Sequence, residues 1–152
     1  MNKGLKIALI VIPLVIVLFI AGIVGIVFFV LNSTANANEY SLGDDVIPSI
    51  KAVVGQRDVS YTESSISNGI TTEIIKYTSE TVFDDLLEYV TVLMEEEDFV
   101  LIEDMDLNVS PGTVEMAKES KDDGEIIILT IKYNKSGYTL TFEKGEGELD
   151  IY

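Results

Sequence analysis

Residues 113–144 read TVEMAKESKDDGEIIILTIKYNKSGYTLTFEK, and this stretch decides what kind of globule the chain makes. Three β-type runs, Thr113–Ser120, Glu125–Tyr133 and Tyr138–Lys144, are rich in Ile, Val, Thr, Tyr and Phe. Asp123-Gly124 and Asn134–Gly137 separate them, and such short polar, glycine-bearing breaks between β-type runs mark tight turns. The spacing predicts a meander of three antiparallel strands.

Upstream, two alternating segments, Asp58–Ile66 and Ile70–Thr78, flank Asn68-Gly69. Asn-Gly in that setting is a strong hairpin signal, because a two-residue turn of this type needs positive φ at both positions. Val82, Phe83, Leu86, Leu87, Val90, Leu93 and Met94 recur at helical spacing and predict a helix over 81–97. Ser79 or Thr81 is expected to cap its start, where Asp84 and Asp85 meet the helix dipole favourably. Leu42, Val46, Ile47, Ile50, Val53 and Val54 predict a shorter helix over 44–54, capped by Asp44 or Asp45, with Pro48 in its first turn and Gly55 just past its end. Phe99–Asp104 reads as a further strand, and the tail 145–152 as a weakly pairing or loose end. The expected fold is therefore α+β: a small, mostly antiparallel sheet with one long and one short helix packed on one face, in the order α-β-β-α-β-β-β-β.

Further upstream, Ile7 to Leu31 contains 25 consecutive uncharged residues, 20 of them Leu, Ile, Val or Phe. As a helix rising about 1.5 Å per residue, the run reaches roughly 37 Å, enough to cross a hydrocarbon core of about 30 Å. Lys3 and Lys6 precede it and the next charge is Glu39, so the positive-inside rule leaves residues 1–6 as a cytoplasmic tip. The expected organisation is a transmembrane helix over 7–31, a polar flexible linker over 32–40 and an extracytoplasmic domain over 41–152. The lipid bilayer is then the first partner, through 7–31, and the localisation is the cell membrane. The alternative is secretion after cleavage near Ala37, where Ala35-Asn36-Ala37 has the small-x-small form of a cleavage site, although a secretory core normally spans only about 7–15 apolar residues.

All 26 acidic residues lie beyond position 38, together with 8 basic ones, so the part after the apolar run has a net charge of −18. Such a field repels phosphate backbones and anionic headgroups, which argues against nucleic acid as a partner and suits cations or a basic protein. Cysteine is absent, so neither disulfides nor thioether- or thioester-linked lipid is available. Histidine and tryptophan are absent too. This removes Ser-His-Asp and Cys-His constellations and imidazole-ligated zinc, and there is no Ser-x-x-Lys, Walker loop or strand-following GxGxxG. Paired carboxylates remain at Asp44-Asp45, Asp84-Asp85 and Asp122-Asp123. Adjacent residues point in different directions on a helix, however, and Asp is expected at caps and turns. A carboxylate-only hydrolase would need two such groups facing one cleft.

From Asp104 the chain reads DMDLNVSPGTVE. These twelve residues resemble the calcium loop of the EF-hand, with Asp104, Asp106, Asn108 and Glu115 at loop positions one, three, five and twelve. Val109 stands where that loop has its bend glycine, Pro111 stands where it has an apolar residue, and strands rather than helices are predicted on either side. The resemblance implies calcium as a candidate ligand. The run Glu95-Glu96-Glu97-Asp98 is a second acidic feature, at a helix C-terminus where the dipole favours cations, and Lys118 or Lys121 could relieve it. Tyr61, Tyr77, Tyr133 and Tyr138 fall in strands, as a half-buried set or an exposed binding stripe. The functional expectation is a non-catalytic accessory or interaction domain of the cell envelope. The alternative is a divalent-cation domain using the carboxylates of 95–115.

Overall fold

The computed structural model describes residues 37–149. They form a sheet-rich α+β fold with eight strands and two helices. In chain order these are β1 (Glu39–Leu42), β2 (Asp45–Pro48), α1 (Ile50–Val54), β3 (Asp58–Ser67), β4 (Ile70–Thr78), α2 (Val82–Glu96), β5 (Val100–Leu101), β6 (Gly112–Glu119), β7 (Glu125–Asn134) and β8 (Gly137–Glu146). β1 and β2 form a separate hairpin, and the other six make one antiparallel sheet in the order β3-β4-β8-β7-β6-β5. The predicted span over 7–31 lies outside the described residues, and among those described no helix is long and apolar enough to cross a membrane.

The meander forms as expected. Tyr133 pairs with Tyr138 and Asn134 with Gly137 across the β7–β8 turn. The Asn68-Gly69 hairpin forms with φ of 52° and 80°, the positive pair that a type I′ turn requires. The tail pairs further than expected: Gly145 and Glu146 belong to β8, and the Gly147 N–H donates to the Gly124 carbonyl at 3.0 Å.

Period-two alternation then sorts the side chains onto two faces. Ile75 and Tyr77 of β4, Tyr138, Leu140 and Phe142 of β8, Ile127, Leu129, Ile131 and Tyr133 of β7, and Val114 and Met116 of β6 all lie at 4% exposure or less. They meet the apolar stripe of α2 (Val82, Leu86, Tyr89, Val90 and Leu93) together with Ile50 of α1 and Tyr40, Leu42 and Ile47 of the small hairpin. Each such side chain stabilises the fold by about 1.5–3 kcal/mol relative to exposure. The opposite face, with Ile74, Thr130, Thr139 and Thr141, is half-buried.

Two sequence expectations are corrected. The helix predicted over 44–54 is a hairpin followed by a single helical turn. Gly43, at φ 65°, turns the chain, and the alternation of buried Leu42 and Ile47 with exposed Val46 is a strand pattern. Pro48 closes β2, and Ser49 caps α1 by accepting from the Ala52 N–H at 3.2 Å. The strand predicted over 99–104 shrinks to Val100–Leu101, with one further bond from the Ile102 N–H to the Glu115 carbonyl. The observed order is thus β-β-α-β-β-α-β-β-β-β.

Candidate interaction surface

The acidic residues of the 104–115 stretch form no group that could hold a metal ion. Met105 and Leu107 pack against the core, while Asp104, Asp106 and Asn108 alternate with them and face solvent. The Tyr133 hydroxyl donates to the Asp106 carbonyl at 2.9 Å and ties the loop down. The Asp106 carboxylate accepts from both the backbone and the side-chain nitrogen of Asn108 at 2.9 Å, which holds it below the usual carboxylate range. Glu115 is exposed on β6. Among the described residues no group of three or more acidic side chains is arranged to hold a metal ion. The oxygen-rich spacing from Asp104 to Asn108 follows from a loop segment whose alternate residues are pinned to the core.

The acidic run at the end of α2 is relieved as the sequence suggested. Lys118 reaches Glu97 at 3.5 Å and also lies over the Phe99 ring, 5.3 Å from its centroid. Asp98 takes φ 59°, which turns the chain so that the Phe99 N–H donates to the Leu93 carbonyl at 3.1 Å.

One member of each predicted acidic pair serves a buried ion network instead. Lys144 lies in β8 in phase with Tyr138, Leu140 and Phe142, and its ammonium is therefore carried into the core face. It donates to the Leu42 carbonyl at 3.1 Å, to Asp45 at 2.8 Å and to Asp122, with Glu125 at 3.7 Å. Burial alone would lower its pKa, but Asp122 and Asp45 raise it well above the ordinary lysine value. Burial would raise Asp45, yet Lys144, the Ser120 hydroxyl and the Lys121 N–H hold it low. This cluster joins the β1–β2 hairpin to β8 and to the β6–β7 turn.

The second network centres on Asp85, in phase with Val82, Leu86 and Tyr89 on the buried side of α2. It accepts from Arg57, Ser79, Thr81 and Tyr138. Burial opposes ionisation, and these donors, Arg57 foremost, hold the carboxyl low. Thr81 sits at the N-cap without a side-chain cap bond, because its hydroxyl is turned to Asp85. Sequence reasoning passed over Lys144 and placed Asp85 only at the helix dipole and in an acidic pair, although a signal was present: each is a charged residue on the apolar phase of its element.

The tyrosines divide. Tyr77, Tyr133 and Tyr138 are buried, and the Tyr77 hydroxyl meets that of Tyr40 at 2.5 Å. Burial pushes the Tyr77 phenol up to about 12. Tyr61 is 46% exposed and donates to the Glu63 carboxylate.

Tyr61 belongs to a sparsely covered part of the described residues. β3 is ten residues long and, among the described residues, lies at the edge of the sheet, paired on one side only. With the start of β4, it presents Tyr61, Ile66 (79% exposed) and Ile70 (44%) to solvent. The opposite edge is the two-residue β5. A long unpaired edge offers a row of backbone donors and acceptors to another strand. A cleft of about 850 Å³, between the start of β3, the β4–α2 connection and the β7–β8 turn, is lined by Arg57, Asp58, Glu80 and Lys135. These charges balance, and Arg57 is committed to Asp85.

No family model matches this sequence, and neither a curated protein nor a solved structure does.

Proposed function

We propose that this chain is a single-pass membrane protein whose domain lies outside the cell, where it binds another protein of the cell envelope without catalysing a reaction. The placement rests on the 25-residue uncharged run, the lysines before it and the acidic domain after it. The observation that carries the binding role is the uncovered β3 edge with its exposed Tyr61 and Ile66. Edges of this length are usually shortened, charged or covered in proteins that act alone. The missing histidine and cysteine, and the commitment of Asp45 and Asp122 to buried Lys144 and of Asp85 to Arg57, support a non-catalytic role.

Protease treatment of whole cells should degrade the domain while a cytoplasmic marker survives. A domain protected until lysis would overturn the placement. Turnover of any substrate by the purified chain in a broad hydrolase screen would overturn the non-catalytic reading.

A further inference from the structure

We propose that the partner is taken up as an added β-strand: an extended, lysine- or arginine-bearing segment pairing with the outer edge of β3. This inference rests on the interaction reading above and specifies its mode. The inner edge of β3 is fully engaged, in register with β4 from Asp58 opposite Thr78 to Ser67 opposite Ile70. Its outer edge faces no strand among the described residues. Strands of this kind are normally blunted by Lys, Pro, inward charges or bulges. β3 has no Lys, Arg or Pro, and its one irregularity, between Val59 and Tyr61, leaves Tyr61–Ser67 regular.

The register also fixes what a seventh strand added at this edge would meet. Tyr61, Glu63 and Ser65 stand opposite Lys76, Ile74 and Thr72, on the half-buried face of the sheet; Thr62, Ser64 and Ile66 stand on the other. A strand laid beside β3 therefore places one set of side chains against Glu63 and the alternate set against Ile66. Main-chain hydrogen bonds supply affinity in such additions and alternate side chains supply specificity. The charge of the neighbourhood selects the occupant. β3 carries Asp58 and Glu63 and no cation, on a domain (41–152) with a net charge of −17. A second copy would bring an equal negative field and the same two carboxylates, whereas a basic strand is complementary in both field and contact.

The test uses the full chain in discs of zwitterionic lipid. Three blocked eight-residue peptides are compared: lysine alternating with valine or threonine, glutamate in place of the lysines, and a proline-interrupted version of the lysine peptide with equal charge. The alternating lysine peptide should slow amide exchange over 58–67 by tenfold or more, and the other two should not. Glu63→Lys with Ser65→Lys should remove that protection while leaving exchange in α2 and β7 unchanged. Equal protection by the proline-interrupted peptide overturns strand addition, as does protection of 58–67 that grows with protein concentration without peptide, the mark of a second copy. A photoreactive residue at Ser65, Thr130 or Glu88 in living cells separates the two readings. Adducts to another protein at Thr130 or Glu88 but not at Ser65 overturn the edge mode and spare the partner reading, and adducts at none of the three overturn both. Adducts to another protein at Ser65, together with the lysine-peptide protection, support the proposal.

Discussion

The Arg57 guanidinium holds the Asp85 carboxylate with two hydrogen bonds, Nε to Oδ2 at 2.7 Å and Nη2 to Oδ1 at 2.6 Å. The two residues are 28 positions apart, so the pair joins the start of β3 to the first turn of α2. Asp85 is 2% exposed, and the Ser79 and Tyr138 hydroxyls share its Oδ2 at 2.7 and 3.2 Å. Planar guanidinium matches carboxylate in a way that ammonium does not.

Removing the acceptor should therefore hurt more than removing the cation. Asp85→Ala leaves the Ser79 and Tyr138 hydroxyls without their partner and is expected to destabilise the fold by about 3 kcal/mol. Arg57→Ala leaves three hydroxyl donors on the carboxylate and opens it to water, so about 2 kcal/mol is expected. Arg57→Lys should fall between Arg57→Ala and wild type. Urea denaturation followed by circular dichroism measures all three, and equal losses for the two alanine variants would contradict the arrangement.

Lys144 should control the β1–β2 hairpin. Lys144→Met leaves Asp45 as a buried carboxylate without its cation, a change that costs about 3–5 kcal/mol in comparable settings. Adding Asp45→Asn should recover part of the loss, because the buried charge goes with it. Amide exchange should show residues 39–48 losing protection before β7 and β8 in the single variant. Uniform loss across the sheet would mean that the hairpin is held by its apolar contacts alone.

The phenol of Tyr40 bridges two elements, meeting the Tyr77 hydroxyl and accepting from the Ile50 N–H at 3.0 Å. Tyr40→Phe keeps the packing against Phe142 and removes only that oxygen. The buried N–H of Ile50 is then unpaired, at an expected cost of about 1–3 kcal/mol. Thermal melting of the variant checks the figure, and an unchanged midpoint would show that water replaces the hydroxyl.

Acid should weaken the fold through Asp45 and Asp85. Both carboxyls are held low in the folded chain, so the unfolded chain binds protons first as the pH falls. Their contribution is complete above the ordinary carboxylate value of about 4 and is lost as the pH drops through the lower folded values. Glu73 has the opposite sign, since burial raises its carboxyl and its ionised form costs stability at neutral pH. Glu73→Gln should therefore raise the melting temperature at pH 7 and leave it unchanged near pH 3. A gain of equal size at both pH values would assign the effect to something other than ionisation.

Residues whose signal is local behaved as the sequence suggested. Asn68-Gly69 has two central positions suited to positive φ, and Val82, Leu86, Val90 and Leu93 share one helical face whatever lies beside them. Where two periodicities overlap, the local reading fails. Leu42, Val46 and Ile47 suit a helix turn as well as a strand, and a turn at Gly43 and a proline at 48 decide for the hairpin. Within α2, Leu87 and Met94 are exposed and Asp85 is buried, because Arg57, Ser79 and Tyr138 arrive from elsewhere in the chain to satisfy it. The interaction edge was hidden for the same reason: nothing within β3 states that it has a neighbour on one side only.

By itself the amino-acid order determined the uncharged 25-residue run, the acidic balance after it, the absence of imidazole and thiol chemistry, and the turns of the meander. Each depends on composition or on residues within one or two turns of each other. Only the tertiary structure decided that Lys144 and Asp45, 99 positions apart, share a buried ion pair, that Asp104, Asp106 and Glu115 form no acidic group arranged to hold a metal ion among the described residues, and that β3 rather than β6 stands at the edge. Those outcomes depend on which distant segments desolvate one another, and the energy of a buried charge or an open strand edge is set by neighbours that proximity in sequence does not reveal.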